Sequence, residues 1–136
     1  MTRTFWQAVR FAIVGLVNTA VGLVAIYATM YLLDTGPLAA NAIGYAVGFT
    51  VSFSLNRIWT FNSSRSIRNV FSRYLGAAIF SYLLNLCIVY FANNVYGIDK
   101  YTSQIFGVAT YTFFMFVSCK IFVFNDPANL NSDEYQ

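Results

Sequence analysis

Four long apolar stretches dominate the chain: Phe11–Leu33, Leu38–Asn56, Tyr74–Tyr96 and Tyr101–Val123. None contains Asp or Glu, and only Lys120, near the end of the fourth, is basic. Each is long enough for a helix to cross a hydrocarbon core about 30 Å thick. A soluble domain needs roughly a quarter of its residues charged to cover its surface; this chain of 136 residues has 10% charged against 58% hydrophobic. Backbone polar groups in lipid must be satisfied within the segment, so the stretches read as helices. They are too long for barrel strands. The first is no secretory signal, because its apolar run exceeds the usual h-region and no polar domain follows. The expected fold is an all-α membrane protein with four transmembrane helices in one domain, residues 1–136.

The connections set the orientation. Asp34-Thr35-Gly36-Pro37 and Gly97-Ile98-Asp99-Lys100 are tight turns. Arg57–Arg73 is the only long connection and carries Arg57, Arg65, Arg68 and Arg73. Arg3, Arg10, these four arginines and Lys120 fall on one side of the four spans, and Lys100 alone on the other. The positive-inside rule places the rich side in the cytoplasm, with both termini, as for a multi-pass membrane protein. Within the middle connection Ile67, Val70, Phe71 and Tyr74 recur at helical spacing among Arg65, Arg68 and Arg73, which predicts a surface helix. It would anchor on anionic membrane lipids at about 1 kcal/mol per Arg; direct substrate binding by Arg65 and Arg68 is the alternative.

The two halves match at a constant offset of 63 residues: Arg10-Phe11 with Arg73-Tyr74, Gly44 and Ala46 with Gly107 and Ala109, and Phe53 and Arg57–Asn62 with Phe116 and Lys120–Asn125. With both halves starting in the cytoplasm, the repeat predicts parallel two-helix units about a pseudo-two-fold axis along the membrane normal. Transporters of this construction bind substrate where repeats meet.

Polar residues inside the spans are the candidate site. Ala40, Gly44, Gly48 and Ser52 recur every four residues and read as a close-packing stripe. Gly15, Asn18, Thr19 and Gly22 share one broad face of the first span. An amide facing lipid costs several kcal/mol unless paired, so Asn18, Asn56 and Asn85 point at another helix or a wet groove. Arg10, Arg57, Arg73 and Lys120 stand one at the end of each span. They serve as snorkelling topology signals or as an anion site, since Arg binds phosphate through paired hydrogen bonds. Trp59 belongs to an interfacial belt or stacks on a sugar ring. Cys87 and Cys119 lie in apolar runs and read as small buried hydrophobes. Asp34, Asp99 and Asp126 lie at or beyond span ends, and there is no His. No convincing general acid, base or metal site emerges, which argues against an enzyme and against a cofactor. Arginines set between apolar spans also argue against nucleic acid as a partner.

Several of these residues form a recognisable pattern: Phe11-x-x-Val14-Gly15-x-x-Asn18-Thr19, Ser52-Phe53-x-Leu55-Asn56-Arg57-x-Trp59-Thr60-Phe61, Phe71-x-Arg73-Tyr74, Leu84-Asn85 and Lys120-x-Phe122-Val123-Phe124. The pattern spans nearly the whole chain and resembles the GtrA-like family of small bacterial membrane proteins. It departs at Cys119-Lys120, which stands where an Asn-Arg-like pair would echo Asn56-Arg57. The resemblance implies a role in cell-surface polysaccharide or glycolipid assembly. The expected substrate is a polyprenyl-phosphate-linked sugar, flipped from the cytoplasmic to the outer leaflet, and the expected partner is a polyprenyl-phosphate glycosyltransferase. A groove of Asn18, Thr19, Ser52, Asn56 and Asn85 would replace water around the sugar, while Arg57 and Arg73 capture the phosphate. Four short helices enclose little volume, so a homo-oligomer is expected. A scaffold recruiting the glycosyltransferase and a small multidrug-type exporter are the alternatives, the exporter disfavoured by the lack of a buried carboxylate.

Overall fold

The computed structural model describes residues 2–125 and is helical throughout apart from short connections; Asp126 lies outside the described residues. Its four α-helices are α1 (Thr2–Leu33), α2 (Pro37–Leu55), α3 (Ile67–Tyr90) and α4 (Lys100–Ser118). The last three each run on into a five-residue π-turn: Asn56–Thr60, Phe91–Val95 and Cys119–Val123. No strand occurs among the described residues. The chain divides into two compact units that part between Asn62 and Ser63; each is a helical hairpin, α1 with α2 and α3 with α4.

Among the described residues, three helical segments are long and apolar enough to cross a membrane, Arg3–Leu33, Ile67–Val95 and Tyr101–Val123. Only 11–17% of their most apolar windows is buried within the protein, which leaves most of that apolar surface for lipid or another protein surface to cover. The second expected span, α2, carries small and polar residues, Asn41, Gly44, Gly48, Thr50, Ser52 and Ser54, among its apolar ones. Of these, Gly44 and Gly48 sit where α1 comes close, Gly44 against Gly22 and Ile26 and Gly48 against Asn18.

Two expectations are corrected. The Arg57–Arg73 connection is not a long loop with a separate surface helix: helix starts at Ile67 and runs into the span without a break. Neither Pro nor Gly occurs between Ile67 and Tyr74 to interrupt it. Ile67–Val95 is 29 residues, about 43 Å of helix against about 30 Å of hydrocarbon, so its first turns can stand in the interface. Cys119 is buried as expected, but Cys87 is exposed on α3, where an apolar thiol can meet lipid at little cost.

Each hairpin closes with a left-handed residue in the same register, Asp34 at φ 47° and Gly97 at φ 65°, 63 positions apart. After the turns the chains use different caps. Gly36 precedes Pro37 at the start of α2 with no side-chain bond, consistent with the preference for Pro in the first turn. Asp99 caps α4 by accepting from the backbone N–H groups of Tyr101 and Thr102, each at 3.0 Å.

Close helix approach is set by glycine. A Cβ on Gly44 would overlap Ile26 Cγ1 and stand 2.9 Å from the Gly22 carbonyl oxygen. At the matching position a Cβ on Gly107 would meet Val89 Cγ2 at 2.5 Å and Asn85 Nδ2 at 3.0 Å. Gly44 faces backbone, which cannot rotate away, whereas Gly107 faces side chains alone. In SDS-unfolding equilibria Gly44→Ala should therefore cost about 1–3 kcal/mol, Gly107→Ala less, and Gly76→Ala, whose Cβ would meet nothing within 4 Å, nothing measurable. Equal losses at Gly44 and Gly76 would contradict this packing.

Hydrogen bonding, first to Thr102, holds the Asp99 carboxyl below its ordinary range. A depressed carboxylate stabilises the fold above its unfolded pKa of about 3.9 and loses that contribution as pH falls through the lower folded value. Asp99→Ala should lower stability at pH 7, and the gap from the unsubstituted protein should narrow as pH falls through the folded-state titration of Asp99 when unfolding is followed across pH.

Candidate functional site at the open ends of the hairpins

The end of each hairpin opposite its turn gathers the cations, and the two ends are built alike. In the first, Arg10 of α1 donates from Nη1 to the Trp59 carbonyl oxygen at 3.1 Å, with its Cζ 5.6 Å from the Trp59 ring centroid. In the second, Arg73 of α3 donates from Nη1 to the Phe122 carbonyl oxygen at 3.4 Å, its Cζ 5.2 Å from the Phe122 ring. Beside each clasp an aromatic pair closes the helix ends: Phe11 with Phe61 at 6.3 Å and Tyr74 with Phe124 at 6.0 Å.

The π-turns present these carbonyls. Phe61 N–H reaches back to the Asn56 carbonyl at 2.9 Å and Phe124 N–H to the Cys119 carbonyl at 2.8 Å, both five residues back. A π-turn widens the helix by one residue and is frequent at functional sites. Here it swings Trp59 and Phe122 to the matching arginine on the neighbouring helix.

The sequence-predicted residues separate into groups. Asn56 is 1% exposed and donates from Nδ2 to Ser52 Oγ at 3.3 Å, so these two meet along α2. Asn18 turns toward α2, where its Oδ1 occupies the notch left by Gly48; a Cβ there would come within 2.6 Å. Thr19 is exposed, and its hydroxyl donates to the Gly15 carbonyl of its own helix at 3.1 Å, so it is not beside Asn18's inward face. Asn85 packs against Gly107 of α4. Arg57 is half-buried with Nε shielded from solvent, and Lys120, its counterpart in the repeat, is half-buried too. Trp59 has one ring face occupied by Arg10.

Among the described residues, the buried polar atoms Asn18 Oδ1, Thr60 Oγ1 and Ser81 Oγ find no hydrogen-bond partner. Asn18 and Ser81 are 63 positions apart, so each hairpin carries an unmet polar atom at the same register. Such groups cost about 1–3 kcal/mol when buried unpaired and call for an explanation. Ser81 escapes sequence reading because an isolated hydroxyl in an apolar run is common, and its repeat relation to Asn18 is the signal for it; Thr60 is part of the family pattern but lies beyond the second apolar stretch, outside the residues expected to line the site. The clasps were also legible in principle, since Arg10…Trp59 and Arg73…Phe122 share a separation of 49.

The clasp makes a measurable claim. An exposed cation–π contact is worth about 0.5–1 kcal/mol, so a double-mutant cycle of Arg10→Ala with Trp59→Leu should show coupling of that size in unfolding equilibria. Arg10→Lys should recover only part of it, lacking the planar fork. Additive single effects would remove the contact from the list of stabilising ones.

Comparison with known proteins gives a family. None of the curated proteins and none of the solved structures compared matches the chain. The family described as "GtrA/DPMS, transmembrane domain" matches residues 10–124, a range that opens on Arg10 and closes on Phe124, the limits of the two clasped ends. The chain belongs to the GtrA/DPMS transmembrane-domain family.

Proposed function

We propose that this protein flips a polyprenyl-phosphate-linked monosaccharide from the cytoplasmic to the outer leaflet of a bacterial inner membrane, supplying sugar for cell-surface polysaccharide. The family match over residues 10–124 carries this reading; it ties the chain to membrane proteins of lipid-linked sugar pathways. A sugar hydroxyl costs about 4–8 kcal/mol to desolvate without a partner, and a phosphodiester more. Polar atoms kept inside apolar helices, among them Asn18 Oδ1, Thr60 Oγ1 and Ser81 Oγ, can offset that cost in steps while the prenyl tail stays in lipid. Ser52, Asn56 and Asn85 extend the polar set; Thr19, exposed and bonded to its own helix, contributes least.

In this reading the chain crosses the bilayer four times with both termini in the cytoplasm, α2 crossing beside its hairpin partner α1. The open ends of both hairpins then lie at the inner leaflet, where Arg57 and Arg73 meet the phosphate and Arg10 and Lys120 add positive potential. The spans contain no Asp or Glu to carry a coupling proton, so net movement is downhill, drawn by consumption of the sugar outside. A polyprenyl-phosphate glycosyltransferase supplies the lipid, and a homo-oligomer completes the enclosure that four short helices cannot make alone.

Reconstitution tests it. Purified protein in liposomes, with labelled polyprenyl-phosphate sugar in one leaflet, should give that lipid rapid access to an impermeant reagent on the other side. Arg57→Ala should slow transfer by roughly 10–100-fold, the loss of one charge-assisted phosphate contact, with the protein still folded. A preparation that binds the glycosyltransferase but moves no lipid would be a scaffold instead.

A further inference from the structure

The start of α3 departs from the repeat in a way the clasp does not explain. A cavity of about 200 Å³ opens there, lined by Arg65, Ser66, Asn69, Val70 and Arg73. That volume is far above the about 10–15 Å³ one water needs. Val70, fully buried, is its apolar floor, and the other four side chains bring N–H or O–H donors. Ser66 is the N-cap residue but makes no side-chain cap bond, and the first turn has no acidic residue. Two guanidinium groups and the positive end of a 24-residue helix therefore share one concavity, and none of its described lining residues is a carboxylate. Arg65 is steered by the loop, where its N–H donates to the buried Ser63 hydroxyl at 3.4 Å. Arg73 is steered by its hydrogen bond to Phe122, which engages one of a guanidinium's five N–H donors.

The repeat supplies an internal comparison. The residues 63 positions earlier are Thr2, Arg3, Trp6, Gln7 and Arg10. Only the clasping arginine is kept, and an exposed Trp stands where Asn69 lines the cavity. A packing role shared by both hairpins would not require the polar lining of the second alone.

We propose that this cavity is a phosphate-ester site at the membrane interface, with Arg65 and Arg73 supplying charge and Ser66 and Asn69 supplying neutral donors. Phosphate oxygens accept only, and they match guanidinium forks and helix N-terminal N–H groups in geometry and sign. The site deepens the transport reading and rests on it only for the identity of the ester. Arg68 tells a built site from diffuse attraction: it is exposed, carries the same charge in the same segment, and does not line the cavity.

The test titrates the full chain in phosphatidylcholine nanodiscs with farnesyl phosphate, followed by native mass spectrometry. Arg65→Ala and Asn69→Ala should each weaken binding, the first by about tenfold as one charge-assisted contact is lost. Arg65→Lys should fall between, and Arg68→Ala should stay within about twofold. An unaltered melting temperature checks the fold of each variant. Displacement by phosphatidylglycerol assigns the site to bilayer headgroups, displacement by inorganic phosphate to the free anion, and resistance to both to prenyl-linked esters; all three uphold a phosphate site. Equal loss in Arg68→Ala and Arg65→Ala, or no loss in either, overturns it. The transport reading fails separately, if binding persists in a protein that moves no lipid in liposomes.

Discussion

Lipid tails are as apolar as Leu, so pressing two greasy helices together in a bilayer gains nothing from the hydrophobic effect. Each hairpin must be held by contacts that lipid cannot imitate. Backbone-level approach is one such contact. Gly44 lets α2 close on Gly22 and Ile26, and Gly107 lets α4 close on Asn85 and Val89. A guanidinium bonded to a carbonyl across the helix pair is the other, Arg10 to Trp59 and Arg73 to Phe122. The first fixes the middle of each hairpin and the second its open end. The π-turns, the aromatic pairs beside them and the places of the cations follow from those two fixings.

The duplication shows which features serve the hairpin and which do not. Left-handed turn residues, close-packing glycines, clasps, aromatic pairs and terminal π-turns recur at the same offset, so they belong to the architecture of a helix pair in lipid. The differences are chemical. Asn56 is answered by Cys119, Arg57 by Lys120, Trp59 by Phe122 and Thr60 by Val123. The end of α2 is thus the more polar of the two, while the second hairpin concentrates polarity at the start of α3. One repeated frame has been decorated in two different places, and these are the positions on which the proposed transport reading draws.

Polar atoms give the frame its use. A buried acceptor or hydroxyl without a partner weakens a membrane helix, and interhelical hydrogen bonding returns only about 0.6 kcal/mol on average. Asn18 Oδ1, Thr60 Oγ1 and Ser81 Oγ therefore contribute little as packing, and under the proposed transport reading they serve as transient partners for a polar cargo. The sequence already pointed at Asn18, because an amide between apolar residues stands out. Thr60 and Ser81 did not stand out, because a hydroxyl in a helix can always bond its own backbone, as Thr19, Thr29 and Thr50 do. Whether it does so is decided by rotamer and neighbours, which no residue count reveals.

The sequence by itself determined the helices, their pairing into two hairpins, the repeat register and the collection of cations at one end of each pair. All of these follow from local rules: apolar length, tight-turn residues, and the cost of charge in hydrocarbon. Tertiary structure decided the rest. It merged the expected surface helix into α3, sent Asn18 to Gly48 and Thr19 to the exposed side, gave Arg10 and Arg73 their carbonyl partners, and opened a polar cavity at Arg65, Ser66, Asn69 and Arg73. These depend on which face of one helix meets the other, and that rotation is set by side-chain fit across the pair, a property that periodicity along a single helix does not contain.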